Sequence, residues 1–559
     1  MKEKIKYFAL ENAIKFNGKA NPGAIVGKIL ALDPELKKEM GTLCKEIAMT
    51  VKDVNSLSLD DQKKEFESFD KIDKPKREER KGLPDLPDAV QGKVVTRIPP
   101  EPSKYNHIGH ALSFLINYMY AVKYEGKCLL KFEDTNPEKV TQEFADAMEE
   151  DILEYLGIKA DKIIYISSDM EHMYNEAVRL IKLGKAYVCF CNREDMQDLR
   201  HEGKECCHCE VEVAINLEEW QNMLDKKYKE GEVILRLKAD MSALNQVMRD
   251  PVLFRISYTK HYKHGDKYCV WPLYDFENSV EDCNYGVTHI LRSNEFGTMR
   301  NELQNFIKDA LGYKKQTIVH YGRFNIKGAT TKGREIRELI QSGKVTGWDD
   351  PSLVTLRALK RRGIVKETFY EMVNRVGMSK NQSNIDWTLI ESINRSILDP
   401  TVNRYFFIKD PIKIKVNDAP NQHIELNLHP DHPKRGSRKF TTKDEFYVTL
   451  DDKNNFREGK LIRLMDCLNF KLLASKFEFD STDYEIYKNN GSGIIQWLPV
   501  DDNAVEVEIR MPDNKIVKGL AEGSIKNLKI DDVIQFQRFG FCRLDEIKEN
   551  KYLFWFTNN

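Results

Sequence analysis

His107 and His110 stand three residues apart in a run that opens Arg97-Ile98-Pro99-Pro100-Glu101-Pro102 and closes His107-Ile108-Gly109-His110. At the start of a helix, that spacing puts both imidazoles on one face. A helix N-terminus carries unpaired N–H groups and positive dipole charge, which suit an anion. Gly109 removes a side chain where a nucleotide could approach the backbone. Two imidazoles aimed at a phosphate stabilise the charge that builds as a carboxylate attacks the α-phosphorus. Either histidine alone reads more simply as an ordinary helix-start residue. The whole run, with Arg97 and its prolines at the end of a strand, points instead to an ATP-phosphate site.

A second cluster is built of sulfur. Five of the 11 cysteines (Cys189, Cys191, Cys206, Cys207 and Cys209) fall in one short window. Clustering of this kind, away from a secreted disulfide framework, suggests metal or redox chemistry. Cys189, Cys191, Cys207 and Cys209 offer four soft ligands for tetrahedral zinc, with Cys206 and His208 as spares. The C-x-C spacing is tighter than the usual C-x-x-C, and reduced surface thiols are the competing reading.

The elements that must position these groups follow from local pattern. KVVTRI reads as a strand, HIGHALSFLINYMYAVKYEG as a helix and CLLKFED as a second strand, together a βαβ unit with a parallel sheet. TQEFADAMEEDILEYLGI is an amphipathic helix, and GVTHILR a further buried strand. Residues 215–270 mix one helix with strands, and 298–385 read as helical. After about residue 400 the pattern turns to short strands between turns, which suggests one or two barrels. Before about residue 70, FALENAIKF and IVGKILAL carry helical spacing around the turn GKANPGA, as a helical appendage. The charge run at 73–82 reads as an exposed connector.

At 559 residues the chain is too long for one core. It is 41% hydrophobic and 31% charged, an ordinary globular balance, and no apolar stretch is long enough to span a membrane. No secretory signal is visible, so a cytoplasmic enzyme is the expectation. The net charge of −1 argues neither for nor against nucleic acid.

RIPPEPSKYNHIGHA resembles the first signature of the class I glutamyl- and glutaminyl-tRNA synthetases. The likeness continues in KFEDTNPEK (131–139), VWPLYDF (270–276), GVTHILRSNE (286–295) and GWDDPSLVTLRALKRRG (347–363). It extends through INRSILDPTVNRYFFIKDP, HPDHPKRGSRKF and QFQRFGFCRLD, and so covers nearly the whole chain. The β-rich end and the segment KYFALENAIKFNGKANPGAIVGKIL are similar to the archaeal glutamyl group.

The resemblance implies a multidomain architecture. A helical extension and linker (1–85) precede a doubly wound α/β, Rossmann-like catalytic domain (86–185 and 285–335). That domain is split by an α/β insertion that binds the tRNA acceptor stem (186–284). A helical connector (336–400) and a double β-barrel that binds the anticodon (401–559) follow. It implies ATP-dependent activation of L-glutamate, with Mg2+ on the phosphates, and transfer to the 3′ end of tRNA-Glu, with tRNA-Gln an open second acceptor. Pro99, His107, Gly109, His110 and Lys332 would serve ATP. Arg97 would pair with a substrate carboxylate, Glu133 with the ammonium, and Tyr274, Arg292 and Asn278 would complete the amino-acid pocket. Any zinc in the insertion would be structural.

The chain also departs from the family. The second signature is reduced to Ala329-Thr330-Thr331-Lys332-Gly333-Arg334, with its first lysine absent. Lys104 stands where glycine is usual, which predicts strain if that position needs a positive φ. Asn106 stands where leucine is usual. A glutaminyl enzyme, or a tRNA-binding relative without catalysis, are the alternatives these departures leave.

Overall fold

In the computed structural model, residues 2–33, 36, 39–69, 82–549 and 551–559 are described. The charge run expected as a connector lies, apart from Gly82, outside these residues. The chain divides into two compact units, Met1–Arg80 and Lys81–Asn559. The first holds helices α1 (Lys2–Lys15), α2 (Pro22–Leu32), α3 (Met40–Asn55) and α4 (Leu59–Glu67). The turn in GKANPGA starts α2 by two local devices. Asn21 Oδ1 accepts the Gly23 N–H, and Pro22 takes the first helical position, where its missing donor costs nothing. Ile5, Phe8, Leu10, Ile25, Ile47 and Val54 close the core.

The second unit opens with β1 (Val95–Ile98), α5 (Ile108–Lys123), β2 (Lys127–Phe132), α6 (Gln142–Glu150), β3 (Lys162–Tyr165) and α7 (Met170–Lys182). An antiparallel sheet follows, of β4 (Ala186–Cys189), β5 (Ile234–Leu237), β6 (Val252–Ile256) and β7 (Val270–Pro272). Helices α8 (Arg193–Glu202) and α9 (Val213–Leu224) lie between its first two strands. Next come α10 (Tyr274–Asn284), β8 (His289–Ser293), α11 (Met299–Leu311), β9 (Thr317–Tyr321) and β10 (Phe324–Ile326). The unit continues with α12 (Gly333–Gln341), α13 (Leu356–Arg361), α14 (Lys366–Val376), β11 (Ser383–Ile385) and α15 (Trp387–Leu398).

Strands β1, β2 and β3 are parallel, with β2 central. Strands β8 and β9 form a second parallel pair. Thr288 stitches the two sets together. Its N–H donates to Val95 O at 2.9 Å, and its Oγ1 accepts the Val95 N–H at 2.8 Å. The resulting order is β3-β2-β1-β8-β9, so the chain reverses direction across the sheet between β1 and β8. Ligands of such sheets bind at the carboxyl ends of the strands, at that reversal. Helix α5 packs there through Ile108, Leu112, Phe114, Leu115 and Ile116. Its burial on nearly every side matches a helix laid on a doubly covered sheet.

Three elements differ from expectation. The stretch 298–385 contains the strands β9, β10 and β11 as well as helices; Thr317-Ile318-Val319-His320-Tyr321 is β-branched and aromatic, which favours a strand. The helix expected through Ile158 ends as α6 at Glu150 and widens into a π turn at Asp151–Tyr155. In that turn Asp151 is buried and accepts the Asn106 amide at 3.2 Å, so the polar residue at 106 has a partner. Lys104 has no positive φ, and the expected strain is absent.

Beyond residue 400 the chain builds two seven-stranded sheets, as the β-rich pattern suggested. Residues 404–409 enter one sheet, strands between 411 and 499 build the other, and 505–558 return to complete the first, with 422–427 and 437–442 paired as a separate two-stranded sheet. Arg361 binds Asp545 through Nη2 at 2.7 Å and Nε at 2.9 Å, which ties α13 to the returning sheet. No helix among the described residues is long and apolar enough to cross a membrane.

Replacing Thr288 by isosteric valine leaves the Val95 N–H unpaired inside the sheet. The expected cost is about 1–3 kcal/mol. Hydrogen exchange at the Val95 amide is the direct check: it is faster in the variant, and unchanged exchange would refute the stitch.

Candidate active site

The carboxyl ends of β1, β2 and β8 open into a cavity of about 550 Å³. Its wall contains Arg97, Pro99, His107, Gly109, His110, Glu133, Tyr274, Arg292 and Lys332, every expected ATP and amino-acid residue except Asn278.

One end belongs to the histidines. His107 is the N-cap of α5, not a residue of its first turn. Its Nδ1 accepts the Gly109 N–H at 3.1 Å, and the His107 N–H donates to His110 Nδ1 at 3.4 Å. This is a reciprocal cap made of two imidazoles. The Ile108 N–H is taken by Val354 O at 3.0 Å, and the His110 N–H by His107 O at 2.8 Å. The expectation of free backbone donors at this helix start is therefore wrong. The rings themselves use those donors, stacked at 3.8 Å between centroids.

The cap fixes the chemistry. Each Nδ1 accepts, so a neutral ring carries its proton on Nε2. Burial pushes His110 down to about 3 and His107 well below its ordinary value, with Lys104 adding to both. Two neutral Nε2–H groups are then the donors these rings have left to offer. Gly109 also has a second reason beside the one expected. A Cβ there would lie 3.0 Å from His107 Cε1, so glycine makes room for the ring.

The other end is charged. Arg97 is 1% exposed, and its Nε lies 3.3 Å from Asp282 Oδ2. Lys131 Nζ reaches Asp282 Oδ1 at 2.5 Å and Asn278 Oδ1 at 3.0 Å. Asn278 is thus spent behind the cavity wall, holding Lys131, and does not line the pocket. Arg292 Nη1 donates to Gln304 Oε1 at 3.1 Å, and its Nη2 donates to Asn301 Oδ1. Among the buried polar atoms with no protein partner are Arg97 Nη1, Arg292 Nε and Glu133 Oε1, all on residues of the cavity wall. Burial raises Glu133 to about 6 against the pull of Lys131 and Arg97. Burial also raises Tyr274, which stays a phenol.

Lys332 caps the start of α12 at the cavity rim, with Nζ 2.8 Å from Glu335 Oε1. Lys104, Thr135, Glu277 and Arg323 also line the cavity and were not singled out as site residues. Glu277 was findable, because it follows Tyr274 by three residues on a helix and shares its face. Its carboxyl accepts the Thr135 hydroxyl, and burial beside Glu133 raises it well above the usual range.

The sulfur cluster is gathered differently from the expected set. Cys189, Cys191, Cys206 and His208 come together, and Cys207 and Cys209 do not. The Cys209 N–H closes a turn on Cys206 O at 3.1 Å. That turn aims Cys206 and His208 at the end of β4. Cys207 is left exposed, and Cys209 Sγ lies 3.3 Å from Glu205 Oε2. Cys189 Sγ is 3.8 Å from Cys206 Sγ and 3.9 Å from His208 Nδ1, and Cys191 Sγ is 3.6 Å from the same nitrogen. Buried Arg236 stands over the sulfurs, 3.6 Å from Cys206 and 3.7 Å from Cys189.

Two neutral imidazole donors and a cluster of buried charged groups share one cavity at the reversal of a parallel sheet, the arrangement of a catalytic site. Residues 93–400 match the tRNA synthetases class I (E and Q), catalytic domain, and 402–488 and 494–545 match the anti-codon binding domain of the same class; the chain belongs to this family. It is 42% identical over 559 residues to the glutamate–tRNA ligase of Pyrococcus abyssi, covering 97% of each chain. It is 41% identical to that of Pyrococcus furiosus (98% of this chain, 97% of the relative) and 38% identical to that of Methanocaldococcus jannaschii (98% of each).

The neutral histidines carry a pH signature. An imidazole near 3 when folded and 6.5 when unfolded leaves stability unchanged above about 6.5 and erodes it as the pH falls towards 3. In His110→Asn the amide oxygen can still accept the His107 N–H but takes no proton. Denaturant unfolding between pH 7 and pH 4 should show a shallower loss in this variant. An equal slope in both proteins would show that His110 titrates normally.

Proposed function

We propose that this chain is a glutamate–tRNA ligase. The observation that carries the reading is the set of unsatisfied atoms at the amino-acid end. Two guanidinium groups and one carboxylate, each with an open position, complement two carboxylates and one ammonium. That is the charge pattern of glutamate, and glutamine would leave one guanidinium position without its anion. The names of the relatives agree with this choice over glutamine.

The reaction has two steps. The α-carboxylate of glutamate attacks the α-phosphorus of ATP, giving glutamyl-adenylate and releasing pyrophosphate. A terminal ribose hydroxyl of tRNA then attacks the activated carbonyl and AMP departs. Arg97 and Arg292 hold carboxylates, and ionised Glu133 holds the ammonium. The Nε2–H groups of His107 and His110 meet the developing negative charge on phosphate oxygen, already oriented by their backbone bonds. Lys332, from its rim position, meets the phosphates. Mg2+ enters as part of the ATP complex.

We assign the parallel sheet to a doubly wound, Rossmann-like catalytic domain (86–185 and 285–335). Residues 186–284 are assigned to acceptor-stem binding, 336–400 to a connector and 401–559 to two anticodon-binding barrels, with tRNA-Glu as the acceptor and the cytoplasm as the compartment. The sheet order and the sulfur-bearing antiparallel insertion support this division. Cys189, Cys191, Cys206 and His208 would hold a structural zinc. Tetrahedral bonds of about 2.3 Å to sulfur and about 2.0 Å to nitrogen set neighbouring ligands about 3.5–3.8 Å apart, close to the spacing of this cluster. Bound there, zinc would clamp the 206–209 turn to β4 and take no part in the reaction.

ATP–pyrophosphate exchange in the presence of tRNA should be faster with glutamate than with glutamine; the reverse would overturn the assignment. Its kcat/KM for glutamate should rise with pH through an apparent pKa near 6, as Glu133 ionises, and Glu133→Gln should abolish that rise. Tag-free protein should carry about one equivalent of zinc, lost in Cys206→Ser and kept in Cys207→Ser; under about a tenth of an equivalent in wild type sinks the metal site.

A further inference from the structure

Lys104 stands at the histidine end of the cavity with no hydrogen-bonded or ion-paired acceptor among the described residues, although the carboxylates of Glu101 and Glu295 attract it from farther off. Its side chain is half-buried in the cavity wall. The other cations nearby each have a protein acceptor that an incoming anion would have to displace. Lys332 is held by Glu335 at 2.8 Å and Arg334 by Glu338 at 3.0 Å. Arg323 pairs with Glu295, and Arg337 Nε donates to Gly333 O at 3.2 Å.

The position of Lys104 is set from both sides. It lines the same cavity as His107 and His110, and its charge adds to the lowering of both imidazoles. Its stem rests on the second loop: a Cβ at Gly333 would lie 3.1 Å from Lys104 Cδ and 3.4 Å from its Cβ. Lys104 therefore bridges the histidine loop and the loop that carries Lys332. That second loop has one lysine where the family resemblance predicts two. An unpaired ammonium held in a half-buried place costs stability unless an anion arrives to meet it. Burial lowers its pKa in the absence of such an anion, which fits the same picture.

We propose that Lys104 binds the pyrophosphate half of ATP, supplying from the first signature loop the ammonium that the Ala329–Arg334 loop lacks. The inference rests on the ligase reading above. Lys104 works with Lys332 as a pair of phosphate cations, one fixed in the cavity wall and one at the rim.

The test compares wild type, Lys104→Met and Lys104→Arg in ATP–pyrophosphate exchange with tRNA and glutamate. Methionine keeps an aliphatic stem against Gly333 and removes the charge. The expected result is a rise in KM for ATP of about tenfold, with KM for glutamate within about twofold and the arginine variant within about threefold of wild type. A rise below about fivefold, or an equal rise in both KM values, overturns the proposal. Thermal unfolding runs alongside. Loss of an unpaired half-buried charge should leave Tm unchanged or higher, whereas a merely structural lysine would lower it. Should Lys104→Met fail to fold, Lys104→Gln takes the same measurements. Wild type without exchange would refute the ligase reading itself; active wild type with an indifferent Lys104→Met would refute only the role of Lys104.

Discussion

The charged end of the cavity is organised around one buried carboxylate. Asp282 sits on α10 and is gripped by Lys131 from β2 and Arg97 from β1. Burial works against its charge, but the two cations outweigh it and hold its pKa near 2. Three elements far apart in sequence are pinned at one point. The grip on Arg97 is incomplete by design of the geometry: Nε is used and Nη1 is left over. A buried ion pair is weak evidence of stability in itself, because desolvation consumes most of the attraction. Its value here is positional. The same helix carries Tyr274 and Glu277, so the anchor at Asp282 also sets where those side chains enter the cavity.

The histidine end is held from a different direction. Residues 354–356 run beside 106–108, through Ile108 N–H to Val354 O at 3.0 Å and Leu356 N–H to Asn106 O at 2.9 Å. The histidine loop is thus paired with the segment that leads into α13. Helix α13 in turn is bound to the C-terminal sheets by Arg361 on Asp545. Arg361 also covers Trp555, with its guanidinium carbon 4.3 Å from the ring centroid. The histidine loop and the C-terminal sheet that carries Asp545 are therefore linked through one short helix, by backbone bonds at its start and a side-chain ion pair at its end.

Much of this was legible in sequence, and the limits have physical causes. Strand ends and helix starts are local events, so the Arg97 and His107–His110 positions could be read from a few neighbouring residues. Glu133 follows from the end of a strand in the same way. Asp282 could not be read, because its partner lies 185 positions away and nothing in its neighbourhood marks it. The sulfur set failed for a related reason. Spacing counts candidate ligands, but the turn at 206–209 decides which of them face inward. The strand Thr317–Tyr321 was lost inside a stretch with strong helical pattern on both sides. The C-terminal strands were visible one by one, whereas their interleaving, with one sheet inserted into the other, is a property of pairing alone.

The imidazole cap couples two properties that are usually separate. His107 and His110 close the first turn of the helix that covers the parallel sheet, and the same rings face the cavity. A substitution at either ring therefore changes the helix end and the cavity wall together. Lys104 lies outside the cap, and the Asn106 amide is tied to Asp151 instead. Changes at those two positions leave both backbone-to-imidazole bonds in place, so there the wall of the cavity can be altered without loosening the helix it starts.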